Sequence, residues 1–173
     1  MTMATKTSFT PDEWKMIMQS PMMVGIAVSA AEPSGIFGLL KEGMASARSL
    51  IKAKTDPSAD ELIKSVADDM GTSDGRTTAQ DGVKATLAGA QPAEIKAKAI
   101  DELRQVSALL DRKAPADAVA FKTWLSETAQ SVAAAAAEGG FLGFGGHPIS
   151  DIEKATLAEI AKALNVPAAS AGA

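Results

Sequence analysis

The stretch Ser20-Pro21-Met22-Met23-Val24-Gly25-Ile26-Ala27-Val28-Ser29-Ala30-Ala31 decides how the rest of the chain is read. Serine followed by proline signals a helix start, because a proline N–H would have no intrahelical acceptor in the first turn anyway. From Pro21 to Ala31 almost no polar face remains, so a helix here is stable only when other helices surround it. At about eleven residues it falls well short of the ~20 that a membrane-spanning helix needs. The expectation is a short, central, buried helix opening at Pro21.

Toward the N-terminus, Thr10-Pro11-Asp12-Glu13 pairs an N-cap threonine with a glutamate at the third helical position, and Phe9 and Trp14 occupy the staple positions across the cap. A separate short helix is predicted to start there, with Trp14 buried. On the other side, Glu32-Pro33-Ser34-Gly35 breaks the chain. Beyond it Ile36, Leu39, Leu40, Gly43, Met44, Ala47, Leu50 and Ile51 follow the i, i+3, i+4, i+7 spacing of an amphipathic helix that ends at Asp56-Pro57.

Ser58-Ala59-Asp60-Glu61 reads as a capping box leading into Leu62, Ile63, Val66, Ala67 and Met70. The signal weakens from Gly71 to Gly89, where Gly-Thr-Ser-Asp-Gly reads as a loop and Thr77 to Leu87 as a short, glycine-interrupted helix. Pro92 opens a helix with Ile95, Ala99, Leu103, Val106 and Leu110 on one stripe, and Glu94 and Lys98 are spaced as an ion pair. Pro115 opens another that carries Phe121, Trp124, Leu125 and Val132 into Ala133 to Ala137, small residues against which a neighbour can pack closely. Ser150-Asp151-Ile152-Glu153 caps a last helix bearing Ile152, Leu157, Ile160 and Leu164. The reading is all-α: about seven helices and no strand, one domain over residues 1–166 with a half boundary near 71–91, and a frayed tail at 167–173.

Global properties agree. A chain of 173 residues suits one domain. With no Cys there is no disulfide framework, thiolate zinc site or Cys nucleophile, and a reducing, cytoplasmic setting is expected. No apolar run of signal-peptide length opens the sequence. A net charge of −4 with mixed signs provides no basic face for nucleic acid. Alanine is abundant and Tyr absent, which favours helix over strand.

Two longer patterns stand out. Ala30-Ala31-Glu32-Pro33-Ser34-Gly35-Ile36-Phe37-Gly38 returns, one residue shorter, as Ala136-Ala137-Glu138-Gly139-Gly140-Phe141-Leu142-Gly143, which suggests two pseudo-equivalent helical halves or chance in a chain rich in alanine and glycine. The run Gly145-Gly146-His147-Pro148-Ile149-Ser150-Asp151-Ile152-Glu153, continuing to Leu164, resembles part of the tellurite-resistance TerB-like helical domains. The resemblance covers roughly 25 residues, from Glu138 onward, and implies a bundle of paired helices and a metal- or small-molecule-binding stress protein, with a membrane surface as one setting. Gly145-Gly146 stands where that family has Asp-Gly, so an acidic side chain available to the family for metal is missing here.

Candidate sites are few. The glycine cluster 139–146 fails as a phosphate loop, since no strand precedes it, no Gly-Lys-Ser/Thr ends it and Pro148 interrupts the glycine spacing. It reads as a turn packed by its own side chains, or as an apolar contact for a partner or ligand through Phe141, Phe144 and the adjoining His147. His147 is the only histidine, which removes paired-His metal sites. Asp68, Asp69 and Asp74 resemble a calcium loop, but the register places Met70 where a carboxylate is required. Glu32 and Glu138 hold matching places in the repeat and are the candidate metal ligands, against the plainer reading of solvated helix-end residues. No catalytic residue and no cofactor is indicated. The expected function is a non-enzymatic binding or scaffold protein acting on a protein partner or on itself as a homo-oligomer. The alternatives are the TerB-like role and an enzyme built on Trp14, Trp124, His147 and the glutamates.

Overall fold

The structure, a computed structural model, describes residues 3–31, 38–137 and 149–168, with backbone alone for 38–46 and 136–137. Among these residues the chain forms seven α-helices and no strand: α1 (Pro11–Ser29), α2 (Gly38–Thr55), α3 (Glu61–Met70), α4 (Ser73–Leu87), α5 (Ile95–Lys113), α6 (Pro115–Ala137) and α7 (Asp151–Leu164).

Thr10 caps α1, accepting from the Glu13 backbone N–H while Glu13 Oε2 accepts from Thr10 N at 2.8 Å. Phe9 stacks on Trp14 with ring centroids 6.1 Å apart, and Trp14 is buried as expected. The two helices predicted on either side of Ser20-Pro21 are instead one continuous helix of 19 residues. Pro21 cannot donate to the Ile17 carbonyl one turn back, a loss that ordinarily breaks a helix. Ser20 repairs it, because its hydroxyl donates to Ile17 O at 2.7 Å. The helix is central, packing against each of the other six.

The α3–α4 corner also departs from expectation. Asp60, not Ser58, caps α3, accepting from Leu62 N at 3.0 Å, whereas Ser58 turns back to Asp56. Helix α4 begins four residues earlier than the Thr77 expected, at Ser73. Thr72 serves both helix ends, its hydroxyl donating to Asp69 O at 2.7 Å and accepting from Gly75 N at 3.0 Å. The glycines that weakened the helical signal are there for close approach: a Cβ on Gly75 would lie 1.9 Å from Asp69 O, and one on Gly82 would lie 2.8 Å from Gln19 Oε1 on α1.

One contiguous core joins α1 (Ile17, Met18, Met23, Val24), α3 (Leu62, Val66), α5 (Leu103, Val106, Leu110), α6 (Phe121, Leu125, Val132) and α7 (Ile160, Leu164), all fully buried. Two stripe residues lie elsewhere than expected, Ile51 at 63% and Ile152 at 52% exposure. Glu94 accepts from Gln91 N rather than pairing with Lys98.

Candidate ligand-binding cleft

The exposed end of the α2 stripe leads to an apolar-lined cleft of about 580 Å³ between α1, α2, α3 and α4. Each wall follows from helical periodicity. Met22, Gly25, Ile26 and Ser29 of α1 recur at i, i+3, i+4, i+7, and Ala47, Leu50, Ile51 and Lys54 of α2 repeat the pattern opposite. Arg76, Gln80 and Val83 of α4 form a third row, while Ala67, Met70 and Gly71 close the end at α3. Met22, Ile26, Leu50, Met70 and Val83 flank the core only partly buried.

Among the described residues the charged lining is cationic: no Asp or Glu lines the cleft, in a chain of net charge −4, and the two charged residues there converge on Gly71. Arg76 Nη1 donates to Gly71 O at 2.9 Å, and a Cβ on Gly71 would sit 3.5 Å from Lys54 Nζ. Lys54 pairs with Asp68 at 3.2 Å, both side chains being more than half exposed. Arg76 has no carboxylate partner among the described residues, its hydrogen bonds going to carbonyls at the end of α3. Ser29, the only hydroxyl in the lining among the described residues, donates to Gly25 O.

Three polar sites hold the surrounding helices. Trp14 Nε1 and Lys6 Nζ both donate to Asp69 Oδ2, at 2.7 and 2.9 Å. Burial works against the charge on Asp69, but these two hydrogen bonds outweigh it and hold its pKa below the ordinary value. Between α1 and α5, Gln19 donates to Glu102, whose pKa is raised by burial. At the α3–α6 junction Asp117 is fully buried; its Oδ2 accepts from Ala4 N at 3.0 Å, and its Oδ1 has no hydrogen-bond partner among the described residues. Asp60 faces it, with a pKa raised by burial first and by the charge of Asp117 second. Asp60 also lines a second, more polar cavity of about 670 Å³ that includes Arg48, Lys52, Asp56 and Glu127.

The residues singled out from sequence as contacts or ligands, Glu32, Glu138, Phe141, Phe144 and His147, lie outside the described residues, as does most of the internal repeat. Among the described residues no group of three or more His, Cys, Asp or Glu is placed to hold a metal ion. Asp68, Asp69 and Asp74 do not form a calcium loop: Asp68 and Asp69 engage lysines, and Asp74 lies in the first turn of α4. The cleft residues went unrecognised for a physical reason. Met22 and Ile26 sit in a helix apolar on every face, so nothing local distinguishes a face toward a cavity from one toward a helix, and Arg76 to Val83 lie where glycines blurred the helical signal.

No family model, no curated protein and no solved structure matches the chain. The resemblance to TerB-like domains therefore rests on the residues quoted for it alone.

Proposed function

We propose that this chain is a non-catalytic helical binding protein whose ligand is a small apolar molecule seated in the α1–α4 cleft. One observation carries the reading: apolar residues of α1 (Met22, Ile26) and α2 (Ala47, Leu50, Ile51), with Val83 of α4 and Met70 of α3, line one open gap. Apolar surface left facing water forfeits about 25 cal/mol per Å², which a ligand filling the gap recovers. The volume of about 580 Å³ falls within the range of small-molecule pockets, which favours such a ligand over the protein partner expected from sequence. It also accords with the small-molecule half of the TerB-like expectation. Among the described residues the lining holds no carboxylate, histidine or thiol, and the apolar side chains that dominate it favour binding over chemistry. Among the described residues no helix is long and apolar enough to cross a membrane, and the absence of Cys supports a cytoplasmic setting.

A neutral apolar dye tests the site without engaging its charges. Nile red should bind saturably at one site per chain with a blue-shifted emission, and Val83→Trp, which fills the cleft from α4, should weaken binding at least about tenfold with little change in melting temperature. Absence of binding, or binding indifferent to Val83→Trp, would overturn the proposal.

A further inference from the structure

We infer that the ligand is an amphiphile, an apolar chain ending in an anionic head group, with the chain between α1, α2 and α4 and the head at Gly71 between Arg76 and Lys54. The inference rests on the cleft reading above and adds the ligand's charge and orientation. Three observations carry it. The described lining is mostly apolar, with Gln80 and Ser29 the uncharged polar side chains, and its two charged residues lie together at Gly71. Those charges are cationic and, among the described residues, unaccompanied by any lining carboxylate, against the net negative charge of the chain. Arg76 spends Nη1 on the Met70 and Gly71 carbonyls and meets no carboxylate among the described residues, so the rest of its planar fork remains for an oxyanion.

Two features oppose an anion there. The C-terminal carbonyls of α3 carry partial negative charge, but Arg76 already answers them, and the effect fades within a turn. Asp68 competes for Lys54, but a pair this exposed is screened by water and easily exchanged. A neutral chain would leave the guanidinium without a counter-charge, and a cationic amphiphile would meet two like charges.

The test is calorimetric titration of the intact chain, below micelle-forming concentrations, with dodecanoate, dodecanol and dodecyltrimethylammonium. Dodecanoate should bind about tenfold tighter than dodecanol, and the ammonium weakest. Arg76→Gln should reduce dodecanoate to the dodecanol level while leaving dodecanol unchanged. Because Arg76 also supports the end of α3, Lys54→Gln is the second variant, expected to weaken dodecanoate alone. Equal affinity for dodecanoate and dodecanol would overturn the head-group assignment and leave the cleft standing. If none of the three binds and none displaces Nile red, the cleft reading itself falls. Capture by phosphatidylglycerol vesicles without binding of soluble dodecanoate would overturn the inference in favour of a membrane surface.

Discussion

Helix α1 separates two unlike sides of the molecule. Toward α5, α6 and α7, Leu103, Val106, Leu110, Phe121, Leu125, Ile160 and Leu164 are sealed from solvent. Toward α2, α3 and α4, Met22, Ile26, Leu50, Met70 and Val83 remain half-buried around open space. Both sides are built from apolar rows of the same helical period, so periodicity alone does not separate a core from a binding surface. The difference lies in what stands opposite. On the first side the buried rows of α5, α6 and α7 pack on α1 and on one another. On the second, glycines bring α4 close to α3 at Gly75 and to α1 at Gly82, and the cleft lies beside these contacts.

The comparison is broken most directly by truncating one residue on each side. Phe121→Ala removes a fully buried ring and should lower stability by about 3–5 kcal/mol, whereas Ile26→Ala at the cleft should lose about 1 kcal/mol, measured by urea unfolding. Equal losses would mean that the cleft is closed in solution. A sharper test concerns the corner joining two walls of the open side. Gly75→Ala drives a methyl against the Asp69 carbonyl, so α3 and α4 must shift, at about 1–3 kcal/mol. That shift should also displace Arg76 and weaken dodecanoate; a variant as stable as the parent would show that the corner yields freely.

The smallest expected effect lies where the two sides join, at Asp60 and Asp117. The folded pKa of Asp60 is raised above its ordinary 3.8, so its contribution to stability is complete below that value and is lost as pH rises through the raised one. A proton on Asp60 supplies a donor for the unpartnered Asp117 Oδ1, and ionisation removes it. Asp60→Asn keeps an equally good helix cap and carries a permanent N–H. It should therefore shrink the decline in melting temperature as pH rises from about 3.8 to neutrality, and gain about 1 kcal/mol at neutral pH. Glu102, also raised, keeps its share of the decline, while Asp69, lowered, acts in the opposite sense at acid pH. An unchanged pH profile in Asp60→Asn would show that the pair does not share a proton.

Much of the fold was legible because its signals are local. The Thr10–Glu13 and Ser150–Glu153 boxes form as their spacing requires, and Leu103, Val106 and Leu110 are buried as their stripe predicts. Signals that depend on a distant partner misled. Ser20-Pro21 has the composition of a helix start, yet one hydroxyl bond carries the helix through it. Gly75 and Gly82 look like breaks in α4 until the neighbouring helices that require them are in view. The cleft was illegible for the same reason, since Lys54 and Arg76 are 22 positions apart on different helices and only the α3–α4 corner brings both to Gly71.

By itself, then, the sequence determined an all-helical chain, most helix boundaries and which residues are apolar, because caps, prolines and a 3.6-residue period act within one or two turns. Only the tertiary structure decided which apolar rows are sealed and which face a cavity. It also decided that Asp60 lies beside the buried Asp117 and that Arg76 bonds carbonyls rather than a carboxylate among the described residues. Burial and electrostatic partnership are properties of what lies across a gap of a few ångströms, and that neighbour is chosen by the packing of all seven helices together.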